Sequence, residues 1–103
     1  MEASDKNKIL FTQLVLMFHA AAMQQMGKVK NPITDKIERD LGQAQLSIDM
    51  LEMINEKMRG NLSSEEERFL QSLLQELKLN YVDEVSKGQQ KPTQEEAQTA
   101  GPQ

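Results

Sequence analysis

The sequence predicts an all-α protein of three helices. The second and third form an antiparallel hairpin, and the first packs on that hairpin and on another subunit. Three observations carry this. Apolar residues recur at spacings of three and four, and no stretch shows the period-2 alternation of a strand. Capping residues and glycines divide the chain into three helix-length segments. One segment is apolar nearly all round, more than a single hairpin can cover.

The first helix is expected from about Asp5 to Met26. Ser4 or Asp5 can cap it, because a side-chain oxygen there accepts from a free backbone N–H. Gly27 is a natural stop. In the connection that follows, Pro32 pushes Asn31 out of the helical region. The second helix is expected to begin at Thr34 or Asp35 and to end at Arg59. Asp35 and Glu38 suit the positive end of its dipole, and Lys57 and Arg59 the negative end. Gly60 takes the left-handed position after the C-cap. The third helix opens on Ser63-Ser64-Glu65-Glu66-Glu67. Ser63 with Glu66, or Ser64 with Glu67, makes a capping box, and the helix runs to about Val85. The connection from Gly60 to Ser63 is short enough to make helices two and three antiparallel neighbours.

These elements divide the chain into a polar arm (1–7), a helical domain (8–85) and a disordered tail (86–103). In the tail only Ala97 and Ala100 are apolar. Such a segment cannot bury enough surface to offset its ordering entropy.

The second helix carries a seam: Ile37, Leu41, Ala44, Ile48, Leu51, Asn55 and Met58. Asn55 either fixes register there or yields its inward place to Ile54 at a frayed end. Leu46, Met50 and Met53 widen the apolar face, and Met50 and Met53 are the candidate partner-facing residues. The third helix shows one stripe: Phe69, Leu70, Leu73, Leu74, Leu77, Tyr81 and Val85.

The first helix is the unusual one. From Ile9 to Met26, 13 of 18 residues are apolar. Leaving some five large side chains of this helix exposed forgoes on the order of 10 kcal/mol, the whole stability of a typical domain. Self-association is the simplest remedy. The candidate interface residues are Phe11, Leu14, Val15, Phe18, Ala21 and Ala22, with Ala20 to Ala22 allowing close helix approach. Two rivals for this segment are a signal peptide and a membrane span. Glu2 and Asp5 cancel the charge the first requires. Thr12, His19 and three glutamines interrupt the run the second requires.

Composition excludes several function classes. With no cysteine and one histidine, disulfides, thiol chemistry and Cys- or His-rich metal sites are out. A net charge of −4 with no basic run argues against nucleic-acid binding. The scattered glycines make no phosphate cradle, and Glu65, Glu66 and Glu67 already have a dipole reason to stand at a helix start. No Asp or Glu lies within two turns of His19 along its own helix. A polar-edge or inter-subunit hydrogen bond is the plainer role for it, and at an interface it would make assembly pH-sensitive. No catalytic residue, cofactor or metal is expected.

The stretch from Phe11 to Val82 resembles a bacterial family, domain of unknown function 1844. The features are the apolar LVLMFHAAAMQQMG, the proline loop NPITDKIERDL, then Ala44, Ile48, Asp49, Met50 and Leu51, and last KMRGNLSSEEERFLQSLLQELKLNYVD. Gly60-Asn61-Leu62, the Glu run and Leu77 with Tyr81-Val82 are its most specific part. The resemblance implies a bacterial, cytoplasmic helical protein and supplies no activity. The expected function is that of a small, non-enzymatic, homo-oligomeric protein acting through protein contacts. The rival is a membrane-surface protein with helix one lying in the lipid interface. A basic polar face, which such a helix normally carries, is missing.

Overall fold

A computed structural model describes residues 2–90. Three helices account for most of them: α1 (Ala3–Gln25), α2 (Leu41–Lys57) and α3 (Ser64–Gln90). Among the described residues there is no strand, and the one β-bridge joins Asn31 to Lys36.

α1 begins at Ala3, so it takes in most of the polar arm. Glu2 precedes it without a side-chain cap. It ends in a Schellman motif. Gly27 adopts φ +84, its N–H donates to the Gln24 carbonyl at 3.0 Å, and the Lys28 N–H donates to the Met23 carbonyl at 2.9 Å.

α2 starts at Leu41, later than the charge pattern predicts, and residues 31–38 fold into a compact turn instead. The Asn31 Oδ1 accepts from the Ile33 N–H at 2.8 Å. The Asn31 N–H donates to the Lys36 carbonyl at 2.8 Å, and the Asp35 N–H donates to the Asn31 carbonyl at 2.7 Å. Glu38 accepts from the Asn31 amide at 2.8 Å and the Thr34 hydroxyl at 3.1 Å. Asp35 sits at φ +57, a conformation that ends a helix. The polar side chains thus satisfy the backbone locally and compete with helix formation. Thr34 is therefore no N-cap, and Ile37 lies outside the helix, 54% exposed, instead of on its seam.

The true cap of α2 is Asp40, whose Oδ1 accepts from the Gln43 N–H at 3.1 Å. Asp40→Ala is expected to cost about 1 kcal/mol, or roughly 5 °C in Tm. Thermal unfolding followed by circular dichroism checks it. After α2, Gly60 adopts φ +85, as expected for its position. The capping box at α3 is made by Ser63 with Glu66. The Glu66 N–H donates to the Ser63 hydroxyl at 3.1 Å, and the Ser63 N–H donates to the Glu66 carboxylate at 2.9 Å. α3 continues past Val85 to Gln90, taking in the first part of the expected tail; the rest, 91–103, lies outside the described residues.

α1 packs on both α2 and α3. The core is small and shared evenly. It holds Val15, Ala22 and Met26, then Ala44, Ile48 and Leu51, then Leu70, Leu74 and Leu77. Phe11, Phe18, Ile54, Phe69 and Tyr81 pack partly buried against it. The molecule measures 56 × 28 × 16 Å.

Candidate protein-interaction face

Exposed large apolar side chains occur on all three helices and on the 28–39 connection, and six of them, on α1 and α2, lie near the contact between those two helices by helical spacing. In α1, Phe11, Val15, Phe18 and Ala22 line the inward face, where Val15 and Ala22 are fully buried. Val15 and Ala22 are committed to the chain's own core, which corrects the expectation that they face another subunit, while Phe11 and Phe18 are only partly buried. Of the six candidates Leu14 is exposed, and Phe11, Phe18 and Ala21 are half-buried. Leu10 and Met17, at i−4 and i+3 from Leu14, extend the Leu14 edge. Met17 is 67% exposed.

This edge meets α2. Gln25, one turn beyond Ala21, reaches the buried Ser47 hydroxyl, 2.7 Å from its amide. The Asp40 N–H donates to the Gln25 carbonyl at 2.7 Å. On α2, Met50 follows Ser47 by three residues, with Leu46 and Met53 beside it, all three exposed. Helical spacing places the two candidate surfaces, one on each helix, on the edges that flank this contact. From Ile9 to Gln25, α1 carries no Asp, Glu, Lys or Arg, so the α1 half of the face is free of such charges. Asn55 leaves the seam to line a cleft between α2 and α3, and Ile54 packs against the core.

The polar chemistry lies elsewhere. His19 Nε2 stands 3.2 Å from Glu76 Oε1 of α3. This carboxylate partner comes from 57 residues away along the chain, whereas the helix that carries His19 offers none nearby. The imidazole thus ties α1 to α3 within one molecule.

The main electrostatic feature is a clasp around Glu84, which is buried at 6% exposure. Its carboxylate meets Lys28 Nζ at 2.8 Å, Arg39 Nε at 3.1 Å and Lys87 Nζ at 3.1 Å. Arg39 also donates to the Glu84 carbonyl, and Lys28 reaches Asp83 at 2.8 Å. Burial pushes the Glu84 carboxyl up, but the hydrogen bonds and charges of Lys28 and Lys87 outweigh it. The carboxyl ends below its ordinary range. Hydrogen bonds from Lys28 and then Lys87 hold the Asp83 carboxyl low. Those to Asp83 and then Glu84 push the Lys28 ammonium well up. The clasp fastens both ends of the 28–39 connection to α3.

Spacing could have found Glu84, because it follows Leu70 and Leu77 at intervals of seven, on the core-facing stripe. Among the described residues no group of three or more His, Asp or Glu side chains could hold a metal ion. None of the described helices is long and apolar enough to cross a membrane.

The family model described as Domain of unknown function (DUF1844) matches residues 8–83. That span contains the whole stretch, Phe11 to Val82, on which the resemblance rests. No curated protein and no solved structure matches the chain.

Proposed function

Since the chain belongs to the DUF1844 family, whose description names no activity, we propose a function from the surface itself: a non-enzymatic protein that self-associates through the α1–α2 apolar face. The observation that carries this is that Leu10, Leu14 and Met17 of α1 and Leu46, Met50 and Met53 of α2 are all exposed, on edges that helical spacing places beside the α1–α2 contact. Together they offer roughly 600 Å² of side-chain surface, the apolar centre of a standard interface, in which each partner gives up about 800 Å². That matches the upper end of the largest apolar patch on a typical monomer, a size that is often functional.

The rival reading, helix one lying in a lipid interface, is less favoured. Such a helix uses Lys and Arg along its polar face, and α1 has none between Ile9 and Gln25. A non-enzymatic role fits the one imidazole being held by Glu76 with no nucleophile assigned to it.

Light scattering after size exclusion, across a wide concentration range, tests the proposal. A dimer or higher mass is expected without detergent. A monomer at every concentration contradicts it, and flotation with anionic vesicles would then favour the lipid reading.

A further inference from the structure

The 28–39 connection does something a loose linker would not. Five hydrogen bonds within Asn31–Glu38 fix its tip, and the Glu84 clasp fixes its base. At that tip Ile33 stands 92% exposed, the most exposed large apolar residue described. A side chain already held in place loses little freedom on docking.

The same chain carries a matching receptor. Between α2 and α3 lies an open cleft of about 370 Å³, with Leu74, Leu79 and Val82 among its lining residues. Leu79 and Val82 are 65% and 61% exposed. Charge agrees with shape. Lys36 follows the tip, and among the described residues it makes no ion pair. Asp49, one turn before the cleft residue Glu52, likewise has no cation partner among them, only the Gln45 amide at 2.9 Å. The three charged residues of the tip, Asp35, Lys36 and Glu38, sum to −1, which favours a protein receptor over an anionic lipid surface.

We propose that Ile33 of one copy seats in the α2–α3 cleft of a second copy, with Lys36 beside Asp49. This contact uses different surfaces on the two molecules, so it repeats head to tail. It is separate from the α1–α2 face and does not rest on it, and the two together would join dimers into larger assemblies.

Engineered cysteine pairs test it cleanly, because the chain has no cysteine of its own. Ile33→Cys is mixed with Val82→Cys under mild oxidation, and with Asp5→Cys at the far end of α1 as the control. All three positions are exposed, and circular dichroism verifies the fold of each variant. Docking raises the local concentration of the two thiols. The disulfide-linked heterodimer of Ile33→Cys with Val82→Cys is therefore expected at roughly ten-fold or more over the control. The yield should fall as salt screens Lys36 from Asp49. The same excess is expected in a Leu14→Glu, Met50→Glu background, where the other face is disabled. Equal yields with both partners overturn the proposal, as does Ile33→Cys pairing preferentially with itself. A loss of the excess only in that background shows the contact to depend on the α1–α2 face and overturns its independence.

Discussion

Leu14→Glu combined with Met50→Glu is expected to abolish the proposed association through the α1–α2 face, leaving only what the head-to-tail contact sustains, with unchanged helix content. The two positions lie on neighbouring helices, both exposed in the single chain. Neither belongs to the buried core, and circular dichroism of the variant verifies that the fold is kept. In a two-fold interface each substitution is present twice. Each glutamate would be taken from water without a partner. Central interface positions cost about 2 kcal/mol or more apiece. A total of at least about 4 kcal/mol corresponds to roughly a thousand-fold weaker association. Arg68→Glu, on the exposed side of α3, is the control and should leave the mass unchanged. A double variant as massive as the parent would place the interface elsewhere.

Glu84→Ala is expected to destabilise the fold more than Asp40→Ala does. Lys28 keeps Asp83 and Arg39 keeps the main-chain carbonyl of residue 84, but both lose the buried carboxylate that joins them. Removing one partner of a buried pair costs about 3–5 kcal/mol. Here the two cations are partly open to water, at 21% and 35% side-chain exposure, and solvent recovers part of that cost. About 2–3 kcal/mol remains, or roughly 10–20 °C in Tm. Glu84→Gln keeps the shape and loses only the charge, so its cost should be smaller.

The same carboxylate sets an acid dependence. Its folded pKa lies below its ordinary value. The stabilisation is therefore complete above the unfolded carboxylate value, about 4.3, and is lost as pH falls through the folded one. On the alkaline side, the raised Lys28 pKa keeps its contribution intact up to the ordinary lysine value, about 10.4. That contribution then declines as pH rises through the folded value. Denaturant midpoints from pH 7 down to pH 3 should fall more steeply for the parent than for Glu84→Gln. Parallel curves would show that Glu84 does not report the clasp.

Much of the architecture is legible in the residues. Gly27, Gly60 and the Ser63–Glu66 box each announce a helix end through local chemistry, and each does so in the structure. Where the pattern misleads, the deciding interactions are of another kind. Thr34 and Asp35 look like a helix start, but Asn31 and Glu38 capture the backbone and hydroxyl donors around them first. The choice between two such hydrogen-bond sets depends on small energy differences that no pattern displays.

The candidate face is half legible. That α1 has too much apolar surface for one chain follows from composition. Which of its sides turns inward depends on how three helices meet. So Val15 and Ala22 go to the core while Leu10 and Met17, not singled out from the sequence, lie outside. The pairing of His19 with Glu76, and of Gln25 with Ser47, joins residues far apart in the chain, and only the packed helices bring them together.

The position of the Glu84 clasp has a kinetic corollary. The densest group of ionic ties sits where the end of α1, the start of α2 and the end of α3 converge. The opposite end relies on partly buried apolar contacts around Phe11, Ile54 and Leu62, and α1 starts there without a side-chain cap. Thermal fluctuation should therefore open the molecule like a hinge, from the N-terminal turns of α1 toward the clasp. Amide exchange would be fastest near Lys6 and slowest near Ala22, a gradient along one helix. A partner that meets the molecule during such an opening would find Phe11 and Phe18 uncovered, while α1 stays tethered at its far end.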